Sequence, residues 1–183
     1  MAGLTAVLEA WFDEHGTAGG VVQTWVLRPD DDIDPFVLLG ILNSAVFSQL
    51  YMGRHGGASM SGRQTTIKKR ALGAMPIPDG ARGPALEECT WTWEAIWSPQ
   101  TSNAALRTLV RTVAVALQHG GETPEREHLD WILHAAVARL YGHTQAQARR
   151  SLNWYGDRAR GATPGKCWPV GTLDAVLRPL NVD

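Results

Sequence analysis

Apolar positions are spaced differently in the first and second halves of the chain, and this predicts two kinds of architecture. Leu4, Val7, Leu8, Trp11 and Phe12 recur at helical spacing and stop at Gly16, which predicts a helix over 4–14. The run VVQTWVL, Val21–Leu27, is β-branched and aromatic and bounded by Gly20 and Pro29, so it predicts a buried strand. Asp34 before Pro35 offers an N-cap acceptor followed by a residue whose fixed φ suits the first helical position. From Phe36 to Met52 the chain is apolar on most faces, and Asn43, Ser44, Ser48 and Gln49 leave a narrow polar stripe. That pattern predicts one helix buried over most of its circumference. Its 17 residues and four polar positions argue against a membrane span.

A further strand is expected near Thr65–Leu72, and Met75-Pro76-Ile77-Pro78 must be extended because each proline drives its predecessor out of the helical region. Thr90-Trp91-Thr92-Trp93 alternates and predicts a short strand, with Trp91, Trp93 and Trp97 read as core or interface rings. Beyond it the period is helical. Leu106, Leu109, Val110, Val113 and Leu117 form one stripe over 104–118, with Asn103 as cap and a stop at Gly120. Thr123-Pro124 opens a second helix, striped by Leu129, Ile132, Leu133, Ala136, Val137 and Leu140 and ended by Gly142. Thr144-x-x-Gln147 is a capping-box pattern that starts a third. The whole predicts an α+β fold: a small mixed sheet packed on a buried helix over 1–83, followed by a mainly helical section over 84–183.

Composition narrows the class without changing this picture. A chain of 183 residues with 44% hydrophobic content is long enough to bury a core. Cys89 and Cys167 are far apart and the Met-Ala-Gly-Leu start does not read as a signal peptide, so reduced thiols and a cytoplasmic location are expected. The formal net charge of -1 conceals a segregation. Residues 1–34 carry seven acids against Arg28 alone, whereas 53–82 carry Arg54, Arg63, Lys68, Lys69, Arg70 and Arg82 against Asp79 alone. A second basic zone, from Arg139 to Lys166, holds Arg149, Arg150, Arg158 and Arg160 against Asp157. Two such zones suit a clamp on a polyanion, and Asp30–Asp34 should lie away from it.

The first zone carries the candidate site. Gly53, Gly56, Gly57 and Gly62 break the helix and allow close backbone approach. Around them stand Arg54, His55, Ser59, Ser61, Arg63, Gln64, Thr65, Lys68, Lys69 and Arg70. Arg and Lys serve phosphates and guanine edges, Gln serves adenine, and Ser or Thr serve either. The order Leu38-Leu39-Gly40-x-Leu42-Asn43-Ser44, then the Gly/Ser/Arg/Gln loop, then Leu72-x-x-Met75-Pro76-Ile77-Pro78 resembles the C-terminal specificity region of adenine-N6 DNA methyltransferases and of type I and type IIG restriction-modification proteins. The likeness covers about a quarter of the chain. It implies that Arg63, Gln64, Lys68, Lys69 and Arg70 lie near DNA. A weaker likeness to tail helices of the same families runs over 129–147, where His143 replaces an apolar residue and the family's acids are missing.

Catalytic signatures do not accompany these residues. An adenine methyltransferase needs an Asn/Asp-Pro-Pro-Tyr/Phe motif for the flipped base and a glycine-rich S-adenosylmethionine loop, and the sequence has neither. Gly161–Cys167, GATPGKC, misses the phosphate-loop spacing and places Cys where Ser or Thr must reach magnesium. The histidines and cysteines lack metal-ligand spacing. The expectation is a target-recognition subunit or fragment that binds duplex DNA through the loop, Arg149 and Arg150, and positions a methyltransferase or other defence-system partner. No cofactor is expected in this chain, and S-adenosylmethionine would belong to the partner. The alternative is a scaffold that docks its partner through the Phe36–Met52 helix and the tryptophans, without reading sequence.

Overall fold

The structure is a computed structural model that describes residues 4–5, 8–17, 25–55, 65–84, 91, 93–119 and 124–159. Helices dominate: α1 (Pro35–Leu42), α2 (Ala45–His55), α3 (Lys69–Gly73), α4 (Trp93–Trp97), α5 (Asn103–His119), α6 (Pro124–Leu140) and α7 (Gln145–Ala159). Strands β1 (Leu4–Thr5) and β2 (Thr65–Thr66) make a two-residue antiparallel contact, Leu4 opposite Thr66 and Thr5 opposite Thr65. No larger sheet exists among the described residues. The expected α+β fold with a mixed sheet is therefore wrong, and the architecture is helical.

The core is built where α1 crosses the antiparallel pair α5 and α6. Val37 and Ile41 of α1, Leu106, Leu109, Val110 and Val113 of α5, and Ile132, Leu133, Ala136 and Val137 of α6 are all buried in it. Gly40 is the contact point: a Cβ there would stand 2.7 Å from Val110 Cγ1 and 2.9 Å from Leu133 Cδ1. Helix α2 then leaves α1 at 60° and packs on α7. Trp91 is buried, and Trp93 and Trp97 pack edge to face with centroids 5.8 Å apart at the margin of the core.

Several expectations meet the same physical correction. The helix expected over 4–14 is not formed: β1 is extended and residues 8–13 have no regular structure. Here tertiary hydrogen bonds override periodicity. Ser48 Oγ accepts from the Leu8 N–H; Asn43 accepts from and donates to the Ala10 backbone; Gln118 does the same for Phe12. Side chains thus replace a neighbouring strand for alternate residues, satisfying backbone groups that a helix would have paired internally.

The single helix expected over 36–52 is two. Ser44 Oγ donates to Ile41 O and accepts from Phe47 N, while His134 Nδ1 accepts from Ala45 N. These groups take over the orphan donors of a new helix start, so the break costs little. Of the supposed polar stripe, Ser44 makes the break, Asn43 and Ser48 hold the N-terminal segment, and Gln49 accepts from Ser151 of α7.

Of the strand expected near 65–72 only Thr65–Thr66 is extended in a ladder; Lys69–Gly73 winds into α3 because Lys, Arg, Ala and Leu favour helix once the β-branched residues end. The strand expected over 21–27 falls partly outside the described residues, and Trp25–Leu27 is irregular with Val26 80% exposed. Trp93 begins α4 rather than ending a strand, and Thr90 and Thr92 lie outside the described residues.

Local capping was easier to read. Asp34 Oδ1 accepts from Phe36 N and Val37 N, with Pro35 at the first helical position. Thr144 and Gln147 form the reciprocal capping box of α7. Gly142, at φ 74°, ends α6 in a Schellman turn, its N–H on Arg139 O and that of His143 on Ala138 O. The cap of α5 is Ser102, whose Oγ accepts from Ala105 N, one residue before the expected Asn103. Met75–Pro78 precedes a 3-10 turn, Asp79–Ala81, with Pro78 extended at ψ 138°.

Among the described residues no single helix is long and apolar enough to cross a membrane; α1 and α2 reach that composition only together, across their bend.

Candidate nucleic-acid interface

Two tyrosines organise the basic residues. Helix α2 buries Val46, Phe47, Tyr51 and Met52 and ends in Arg54 and His55, of which the Arg54 cation suits the negative end of a helix. Tyr51, fully buried, accepts the Lys68 N–H on its phenol oxygen at 3.0 Å, and its ring lies 5.1 Å from that of His55. The connection after β2 is thus fixed to α2. Ile67 is buried and its carbonyl accepts from Trp25 Nε1 at 3.0 Å. Directly after this anchored residue, Lys68, Lys69 and Arg70 are all exposed.

Tyr141 lies at the α6–α7 turn and donates its hydroxyl to Pro76 O at 2.9 Å. Burial pushes this phenol well above the usual tyrosine range, and the charge of Arg54 opposes that shift. The Tyr141 ring faces His143 at 6.4 Å. Burial, and next the Arg150 cation, hold His143 below its ordinary value, and its buried Nδ1 has no hydrogen-bond partner among the described residues. Ser151 Oγ donates to Gln49 Oε1 at 2.6 Å and locks α7 on α2. A chain of contacts and electrostatic couplings therefore runs from Lys68 through Tyr51 to the end of α2, and on through Tyr141 and His143 to Arg150.

Ion pairing separates these cations from the others. Arg82 pairs with Asp32 at 2.8 Å and Asp30 at 3.7 Å; Arg111 pairs with Asp34 at 3.1 Å. Arg107 is buried and donates to Gly80 O and Pro84 O. Among the described residues Arg54, Lys68, Lys69, Arg70 and Arg150 make no ion pair. Asp30, Asp32 and Asp34 are thus paired with Arg82 and Arg111, whereas the charges of Arg54, Lys68, Lys69, Arg70 and Arg150 are not neutralised by an ion pair among the described residues.

Of the residues singled out from sequence, Arg54, His55, Lys68 and Arg150 are joined by this chain, and Lys69, Arg70 and Arg149 are exposed on α3 and α7. Ser61, Arg63 and Gln64 lie outside the described residues, and of Thr65 only the backbone pairing is described. Sequence reading missed Tyr51, Tyr141, His143 and Trp25. The spacing of Tyr51 from Arg54 and His55, three and four residues, was the available signal, since such positions share a helix face. Among the described residues no group of three His, Cys, Asp or Glu could hold a metal.

The lowered His143 value has a definite sign. A base whose folded value lies below 6.5 binds fewer protons folded than unfolded, so its contribution is intact above that pH and is lost as pH falls toward the folded value. Melting temperature should fall between pH 7.5 and about 5.5 more in the parent than in His143→Gln. Equal falls in both proteins would show that His143 is not titrating in that range.

Over 68 residues the chain is 41% identical to a protein of Methanocaldococcus jannaschii provisionally named a type II restriction enzyme and methyltransferase. The match covers 34% of this chain and 6% of that protein. This similarity relates the chain to restriction-modification proteins. No protein-family model matches the chain, and no solved structure matches it at a significant level.

Proposed function

We propose that this chain is the target-recognition subunit or segment of a restriction-modification system, holding duplex DNA on the α2–α3–α7 surface and presenting it to a catalytic partner. The observation that carries the reading is that Arg54, Lys68, Lys69, Arg70 and Arg150 are exposed and make no ion pair among the described residues, while Arg82 and Arg111 are ion-paired. The similarity to a restriction-modification protein supports the same class. Lys and Arg on this surface neutralise phosphates, and Arg63 and Gln64, which lie outside the described residues, supply base-edge contacts. Methyl transfer, where it occurs, uses S-adenosylmethionine held by the partner chain, and the host system serves restriction or phage defence. Docking of a partner through Phe36–Met52 is disfavoured because much of that segment is already buried in this chain's own core.

Binding of the purified chain to random duplex DNA across a salt series tests this. The expected result is a steep fall of affinity with salt, and a slope smaller by about one to three for Lys68→Ala/Lys69→Ala/Arg70→Ala. At low salt the triple variant should bind about tenfold to a hundredfold more weakly. A parent that does not bind at low salt, or a triple variant with the parent's slope, would refute the reading.

A further inference from the structure

The basic triplet is held by its backbone as well as presented by its side chains. Lys68 is the residue before α3, with φ -102° and ψ 130°, and α3 has no side-chain cap there. Its N–H goes instead to Tyr51 Oη, from a side chain with no exposure at all. One residue earlier, the Ile67 side chain is buried and the Ile67 carbonyl is held by the Trp25 indole. Three anchors therefore act on two consecutive residues, and all three bind the backbone or side chains just before the exposed cations Lys69 and Arg70. A five-residue helix cannot hold its own conformation in water, because helix nucleation is unfavourable and so short a segment gains few bonds to offset it. The fixed direction of Lys68, Lys69 and Arg70 must come from outside α3.

Resting on the proposed function, we infer that Tyr51 is a positioning residue for DNA binding: from the buried face of α2 it holds the Lys68 backbone so that Lys68, Lys69 and Arg70 meet successive phosphates together. Tyr51 itself touches no DNA. Its phenol fixes the start of α3, and Trp25 fixes the residue before it. Preorganisation of this kind raises affinity by removing the ordering cost from the binding step. Without the phenol, the Lys68 N–H loses its partner, the segment opens more often, and the three cations bind as independent flexible charges.

Tyr51→Phe keeps the ring and removes the single oxygen. Trp25→Phe is the companion variant, since it releases the Ile67 carbonyl from a half-buried position that tolerates change. Trypsin provides a readout independent of DNA because it cleaves after Lys68, Lys69 and Arg70. Cleavage at these sites should be about fivefold to tenfold faster in Tyr51→Phe, in line with the loss of one hydrogen bond. In the salt series its DNA affinity should fall about threefold to tenfold, in line with the same loss, and its slope should move toward that of the triple-alanine variant. Trp25→Phe should shift both readouts the same way. A purely structural role for Tyr51 predicts a lower melting temperature with an unchanged salt slope, and that outcome overturns the inference. Unchanged cleavage in both variants also overturns it. Failure of the parent to bind DNA would sink the proposed function; trypsin rates would then still decide whether Tyr51 holds the segment.

Discussion

Gly40→Val should lower the unfolding free energy by about 3 kcal/mol, the largest effect expected of a single added side chain in this fold. Gly40 is in the middle of α1, where glycine ordinarily costs about 1 kcal/mol relative to alanine. Its presence there is explained by what it faces. A Cβ would come within 2.7 Å of Val110 Cγ1 and 2.9 Å of Leu133 Cδ1, both in the buried crossing of α1 on α5 and α6. Leu133 can turn its terminal methyl aside, but Val110 is β-branched and held in one rotamer by its helix. The two larger helices would have to separate from α1, and close-packed interiors resist that. Gly40→Ala should destabilise less, since the gain in helix propensity offsets part of the clash. Val110→Ala should be less harmful in the Gly40→Ala background than alone, because one change makes room for the other. Urea unfolding of the four proteins gives the coupling, and strict additivity would show that Gly40 does not touch Val110 as described.

Arg107→Ala should cost roughly 2–4 kcal/mol, which is large for a residue with no carboxylate partner among the described residues. Arg107 is 8% exposed and uses its guanidinium as a bracket: Nη1 donates to Gly80 O at 2.8 Å, and Nε and Nη2 donate to Pro84 O at 3.1 and 2.9 Å. A buried cation is tolerated when its donors are filled, and here backbone carbonyls fill them. The same bonds pin the segment 80–84 to α5. Gly83 has φ 91°, a conformation that favours glycine, and the Arg107 guanidinium lies 3.6 Å from where its Cβ would stand. Removing the side chain would leave two carbonyls without donors and open a cavity under the turn. Arg107→Lys should recover only part of the loss, because an ammonium cannot span both carbonyls as a planar fork does. Thermal unfolding would check this; an alanine variant within about 0.5 kcal/mol of the parent, the usual range for surface changes, would mean that the bracket contributes nothing.

Much of the local structure was legible because its causes are local. Asp34-Pro35, Thr144-x-x-Gln147 and Gly142 act through hydrogen bonds and φ preferences spanning a few residues, and each behaves in the structure as its pattern predicts. The apolar stripe of α5 was equally clear, whereas α6 is buried on every side over 131–138 and its helix, but not a single stripe, was legible. The N-terminal segment misled for a long-range reason. Its helical spacing is real, but Leu8, Ala10 and Phe12 bond to Ser48, Asn43 and Gln118, residues 33 to 106 positions away. No window on the sequence contains those partners. The mixed sheet failed similarly: β-branched residues at 65–66 do pair, yet the pairing stops after two residues and the chain turns into α3.

The candidate site divides along the same line. Sequence alone supplied the charges: the basic zones, the acids at 30–34 and the choice of Lys68, Lys69, Arg70, Arg149 and Arg150 are all facts of composition. Tertiary structure decided which charges are neutralised. Arg82 and Arg111 find Asp32 and Asp34 only because the chain returns to α1 from 50 and 77 residues further on. It also decided that Tyr51, buried, and Tyr141, half-buried, stand between the two basic zones. The reason is physical: residue type and spacing fix what a side chain can do, whereas the neutralisation of a charge and the partner of a buried hydroxyl depend on distance in space, which only the packing of α2 against α7 and of α1 against α5 establishes.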